Sequence, residues 1–228
     1  MADERSAVEV PQRSAMRDLA EDPSSRKRFL KMVGGAGAVS AFGLFLAACG
    51  DDEEDDAART GTQTQQEGGG DLEIVNYALT LEYLEADFYQ QVLDSGEITD
   101  QALVETAMLI AENEQEHVDA LMATAQQLGE PAPKPTTNFD DVLAGGRDVI
   151  LETAAQVENI GAAAYLGQAG NIEDKEILAA ALAIHTVEGR HAAALNNVIG
   201  ESIVPDGAFA VPMSMDEVLE AVQPFIAS

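Results

Sequence analysis

Tryptophan is absent from this 228-residue chain, aromatic residues make up 5% of it, and there is one cysteine. A lone Cys49 cannot close an internal disulfide. No Cys-x-x-Cys-His and no paired-cysteine motif is present either, which excludes a covalently attached haem or a rubredoxin-type iron as a built-in electron relay. Basic residues are scarce: 12 Lys and Arg stand against 41 Asp and Glu, for a formal charge of -29. Such a surface repels a phosphate backbone, so nucleic acid is excluded as a partner and cations are favoured. In place of the missing residues the second half of the chain is dominated by Ala, Leu, Glu and Gln, a helix-forming composition in which almost no sheet is expected. Once a targeting segment is set aside, the remaining length suits one ordinary domain.

The targeting segment is residues 1–49. Ser24-Ser25-Arg26-Lys27-Arg28-Phe29-Leu30-Lys31 is followed at once by the apolar run Met32 to Leu46, which closes on Leu46-Ala47-Ala48-Cys49-Gly50. The basic stretch resembles a twin-arginine export signal, with Lys27 where the second arginine of the pair normally stands. The end of the run resembles a bacterial lipobox, which implies lipidation of Cys49. The alternative is an uncleaved membrane helix, since Met32 to Cys49 just reaches the roughly 18 apolar residues a bilayer needs. Four glycines and many alanines make that run weakly hydrophobic and favour cleavage. Both readings place the remainder outside the cytoplasmic membrane, tethered through an N-terminal lipid or helix. Seven of the 12 basic residues precede Cys49, so residues 50–228 carry 5 basic against 35 acidic side chains, a net -30. Residues 50–70, an acidic run (Asp51 to Asp56) and then a Thr/Gln/Gly tract, cannot bury apolar surface and read as a solvated linker. The acidic run lacks the glycine and glutamate pattern of a calcium loop.

A folded domain is expected over 71–200, with four helices marked by three-four alternation of apolar residues. The first covers Asp71 to Leu93, the second Thr99 to Leu128, the third about Arg147 to Ala169, and the fourth about Ile172 to Ile199 with Asn171 as a candidate N-cap. A short turn at Asp140 to Ala144 is broken by Gly145-Gly146. Gly129 ends the second helix, and Glu130 to Asn138, with three prolines, reads as a long connection. Short links within each hairpin make its helices antiparallel neighbours, and each long helix should run about 35 Å at 1.5 Å per residue. The tail, 201–228, holds a turn at Pro205-Asp206-Gly207 and an amphipathic stretch from Ser214 to Val222 expected to pack on the bundle or on a neighbouring subunit.

Charged residues interrupt every apolar seam, and they repeat. A shift of 74 residues superposes the second helix on the fourth, Glu114 on Glu188 and His117 on His191. A shift of 76 superposes the first on the third, Glu82 on Glu158 and Tyr89 on Tyr165. The chain therefore reads as two copies of one helix hairpin, each carrying a glutamate, a tyrosine seven residues on, and then Glu-x-x-His.

Burying a single carboxylate costs several kcal/mol, and four in one core would exceed a domain stability of about 5 to 15 kcal/mol. Only Lys134, Arg147, Lys175 and Arg190 are available as bases in the domain, mostly at helix ends. Two divalent metal ions would neutralise the four glutamates, and the i,i+3 spacing of Glu-x-x-His aims both side chains at one site. Carboxylate with imidazole suits iron or manganese and also takes zinc or cobalt. Glu85 rivals Glu82, but its counterpart in the repeat is Gly161, so Glu82 is preferred. Glu112, Glu116 and Asp119 are expected to be solvated or to flank the ligands. His185 aligns with Ala111 and is expected to have a surface or packing role.

At these residues the chain resembles the ferritin-like di-metal carboxylate superfamily, over about Asp71 to Gly200, and more narrowly the exported ferritin-like proteins related to desiccation-associated proteins. The resemblance implies an all-α, ferritin-like antiparallel four-helix bundle with one long crossover, plus a short C-terminal helix. It implies six ligands, Glu82, Glu114, His117, Glu158, Glu188 and His191, with Glu114 and Glu158 suited to bridge or chelate metal. Tyr89 and Tyr165 then stand as tyrosines bonded to ligand glutamates, core packing being the alternative. Oxidase or peroxidase-type chemistry on dioxygen or peroxide is implied as well, in stress response or metal handling. The other readings are a non-catalytic, stress-protective protein stapled by its metals, and a metal-free bundle with protonated glutamates. Homo-oligomerisation is left open, and a mineral-storing shell is disfavoured by the tether.

Overall fold

A computed structural model describes residues 70–227. The export signal, Cys49 and nearly all of the linker lie outside the described residues. Among the described residues six α-helices succeed one another: α1 (Asp71–Ser95), α2 (Gln101–Leu128), α3 (Asp140–Ala144), α4 (Arg147–Gln168), α5 (Lys175–Ile199) and α6 (Met215–Val222). The four long ones pack as two antiparallel hairpins, α1 on α2 and α4 on α5, and the hairpins close into one all-α bundle with α6 as a short C-terminal addition. No helix among the described residues is long and apolar enough to cross a membrane.

Local chemistry sets the helix ends. Asp100 caps α2 by accepting from the amides of Ala102 and Leu103. At the start of α5 the cap is Asp174, not the expected Asn171: its carboxylate accepts from Glu176 N and Ile177 N. Asn171 instead closes a 3-10 turn, Ala169–Asn171, after which Ile172 is extended. A second carboxylate explains the shift, because Asp71 at the head of α1 accepts from the amides of Glu173 and Asp174 at 2.8 Å each and draws that loop onto the bundle end. Ser214 and Glu217 form a capping box on α6.

The segment between the hairpins runs the length of α1. Asn76 bonds Glu130 and Ala132 near the start of the helix, Asp87 takes Lys134 and Thr137, and Gln91 reaches Thr137 further on. This long crossover returns the chain to the far end of the bundle, where Phe139 is buried between Phe88 and Phe225. Crossover and tail meet there, with Asn138 N donating to Phe225 O and Ala227 N to Thr136 O.

Two apolar clusters fill the interior. One gathers Leu84, Phe88, Ile110, Ile150, Val157 and Leu195 toward one end; the other gathers Val75, Leu79, Val118, Leu121, Ile177 and Ile184 toward the opposite end. Between them lies a polar layer.

The tail packs on its own bundle. Val218 and Val222 of α6 are buried against α4, and Met213 N donates to Ala163 O. Gly167 admits this approach: a Cβ there would lie 1.9 Å from the Met213 carbonyl oxygen. Gly167→Ala should therefore push the tail off α4, at about 1 to 3 kcal/mol for overpacking. A drop in Tm of several degrees in thermal unfolding followed by circular dichroism is expected, and an unchanged Tm would show that the tail is not seated on this glycine.

Candidate metal centre

Glu82, Glu114, Glu158 and Glu188, one from each long helix, are each fully buried in the polar layer. His117 and His191 join them from one helical turn beyond Glu114 and Glu188. The structure thus brings together all six side chains that the repeat singles out, as two groups. Glu82, Glu114, His117 and Glu188 form one; Glu114, Glu158, Glu188 and His191 form the other. Within each group the candidate ligand atoms lie within 4.8 Å of one another. Glu114 and Glu188 belong to both, whereas Glu82 and Glu158 each belong to one. This sharing keeps the pseudo-symmetry of the hairpins, since Glu114 and Glu188 are equivalent positions.

Proton chemistry alone satisfies the arrangement poorly. His117 Nδ1 lies 3.2 Å from Glu82 Oε2, 3.0 Å from Glu114 Oε2 and 3.1 Å from Glu188 Oε1. A ring nitrogen offers one proton or one lone pair, so three oxygens cannot each be served. His191 Nδ1 likewise faces Glu114 Oε1 at 3.0 Å and Glu158 Oε2 at 3.1 Å. Glu114 Oε1 and both oxygens of Glu188 are buried and accept no properly directed hydrogen bond. All four lysines and arginines of the described residues are exposed. Cations in the midst of these atoms would answer each oxygen and both nitrogens, and the donor set of four carboxylates and two imidazoles fits two divalent transition-metal ions.

The tyrosines tie the hairpins together crosswise. Tyr89 of the first hairpin donates to Glu158 Oε1 of the second at 2.6 Å, and Tyr165 of the second donates to Glu82 Oε1 of the first. Each orients a terminal glutamate from behind. The imidazoles are backed differently. Asn113 lies 3.0 Å from His191 Nε2, whereas its counterpart in the repeat is Val187. His185 bonds the Ala162 carbonyl through Nδ1, away from the cluster, and Glu112 is exposed.

Glu82, preferred over Glu85 in the sequence, lies in the first group, and Glu85 lies in neither. It is buried, 3% exposed, and it feels the charges of Glu188, Glu82, Glu158 and Glu114. Gly161, read in the sequence as an argument against it, is what admits it: a Cβ at 161 would stand 2.9 Å from Glu85 Oε1 and 3.1 Å from Glu188 Oε2.

Burial governs the electrostatics. Desolvation raises Glu82 to about 7 against the opposing pull of His117, and it raises Glu85, Glu158 and Glu188 as well. Burial would raise Glu114 too, but hydrogen bonds from His117 and His191 outweigh it and bring that carboxyl to about 2. Burial lowers both histidines, and the carboxylates reverse this, taking His191 to about 9 and His117 well above its ordinary value.

A family model described as the ferritin-like domain matches residues 70–201. No curated protein matches the chain.

These shifts set a pH dependence for protein stripped of metal. Glu82 and His191 hold protons more tightly folded than unfolded, so the stability they confer is full below about 4.5 and 6.5 respectively and is lost as pH rises through about 7 and 9. Glu114 acts oppositely and loses its contribution only as pH falls from about 4.5 toward 2. Chelator-treated protein should show its highest Tm near pH 5 and a falling Tm toward pH 9, with excess manganese(II) flattening the fall. A metal-free Tm that is level across this interval would contradict the electrostatics described.

Proposed function

The chain belongs to the ferritin-like domain family, and from that premise we propose that it is an exported, membrane-tethered protein holding a dinuclear iron or manganese centre with oxidase or peroxidase-type activity. The observation that carries the reading is the pair of overlapping Glu/His groups, with their unanswered oxygens, in a core to which the described residues bring no lysine or arginine. Glu114 and Glu188, common to both groups, would serve both ions; Glu82 and His117 would complete one position, Glu158 and His191 the other. Bound iron or manganese would supply one electron per ion, the two that reductive cleavage of an oxygen–oxygen bond consumes. The chain's own contribution is to fix geometry and exclude water. Tyr89 and Tyr165 hold the terminal carboxylates, the apolar clusters close both ends of the layer, and dioxygen or a peroxide is small enough to enter a site so enclosed.

Export and tethering rest on the signal-like residues 24–50 and on Cys49, and the 21 residues between Cys49 and Asp71 would let the bundle stand clear of a membrane surface. A role in stress or metal handling, and the narrower likeness to desiccation-associated proteins, belong to this same proposal.

Purified protein loaded anaerobically with iron(II) or manganese(II) should carry about two ions per chain by plasma mass spectrometry, and a Glu114→Ala, Glu188→Ala double variant should carry none. Binding should also raise the Tm of the wild type, by the equivalent of about 2.7 kcal/mol at a hundredfold excess over Kd. The loaded protein should then consume peroxide or dioxygen. A folded wild type that takes up neither metal would sink the metal centre, whereas a loaded protein inert to both oxidants would leave the metals as a structural staple.

A further inference from the structure

The two halves of the centre are not equivalent, and the difference is concentrated at one pair of positions. On α1, one turn past Glu82, stands Glu85; on α4, one turn past Glu158, stands Gly161. The absent side chain at 161 opens a space that the Glu85 carboxylate enters, reaching 2.9 Å from where a Cβ would be. Glu188 Oε2 borders the same space at 3.1 Å, so the two oxygens lie no more than 6.0 Å apart. Both Glu188 oxygens are buried and accept no properly directed hydrogen bond, and at this edge of the cluster the carboxylate of Glu85 borders the same space. No basic side chain accompanies Glu85, because every lysine and arginine of the described residues is exposed. A buried carboxylate kept among four others is costly unless a cation recovers the cost.

We infer that Glu85 is a fifth carboxylate ligand of the metal pair, entering beside Glu188 through the space left by Gly161 and making the two metal positions unequal in charge and affinity. The inference rests on the dinuclear reading above and adds to it which position differs and why. Four carboxylates balance two divalent ions, and a fifth gives the centre one more negative charge, placed on one side. A site so built binds its two ions in distinguishable steps and favours a higher total metal charge than a symmetrical one. Asn113 behind His191, opposite Val187 in the repeat, separates the halves further.

The test is an anaerobic titration of the purified, metal-free protein with cobalt(II), whose visible absorption reports coordination and which does not turn over. Wild type should bind two ions with resolvable constants. Glu85→Gln, matched in shape but without the charge, should weaken one constant about ten- to a hundredfold, leave the other within a few fold, and keep the metal-free Tm at or above that of wild type. Gly161→Ala, which crowds the Glu85 oxygen without altering its charge, should weaken the same constant, and it carries the test should the first variant fail to fold. Two ions bound by both variants with wild-type constants would overturn the role of Glu85 and leave the dinuclear centre intact. Both constants falling together with the metal-free Tm would assign Glu85 to folding and overturn the inference equally. A wild type that binds no cobalt would overturn this inference and the metal centre beneath it.

Discussion

Five carboxylates share the middle of a bundle whose lysines and arginines all stand at its surface, and most of the architecture can be understood as accommodating that charge. The two histidines engage the glutamates that an imidazole can reach, and the two tyrosines add a hydrogen bond to each terminal glutamate. Glu188 has only a share of His117, whose ring nitrogen faces two other carboxylates as well. What keeps such a layer inside a folded protein is the apolar material on both sides of it, four helices long enough to carry hydrophobic clusters above and below the charges. Helices half as long would place the same carboxylates within reach of solvent, where they would be cheaper to bury and far weaker as ligands.

The crosswise tyrosine bonds make the centre a property of the whole bundle and not of either hairpin. Tyr89 acts on a glutamate 69 residues later and Tyr165 on one 83 residues earlier, so each hairpin lacks the group that orients its own terminal carboxylate. The shared pair, Glu114 and Glu188, also comes from different hairpins. Every candidate metal position therefore needs side chains from both halves, and local opening of either hairpin would dismantle both positions together.

Much of this is legible in the sequence because charge at a buried seam position is conspicuous. The four long helices emerge from three-four spacing of apolar residues, and the six converging side chains emerge from where that spacing is broken and from its repetition at shifts of 74 and 76. Which glutamates the two groups share is obscure there because that depends on depth across the bundle, which a linear order does not encode. Asn171 misleads as the start of α5 because the competing cap, Asp174, is supported by Asp71 from a remote part of the chain. Glu85 shows in the sequence as a rival to Glu82, but the fit of its side chain against residue 161 does not. Alignment of the repeats treats the mismatch with Gly161 as lost agreement, but a large acid in one copy and no side chain in the other are complementary in volume, and complementarity appears as dissimilarity.

That last pair bears on what carrying both hairpins in one chain allows. Two identical hairpins related by a twofold axis must carry the same residue at both places, and a side chain at each would bring a Cβ within 2.9 Å of a carboxylate oxygen where 85 now meets 161, so that the carboxylate would have to shift. Covalent fusion through the crossover removes that symmetry requirement. Once both hairpins belong to one gene product, each copy can mutate alone, and one can surrender a side chain to make room for its sibling's. The long connection along α1 thus does more than return the chain to the other end of the bundle: it permits the twin halves to become heritably different.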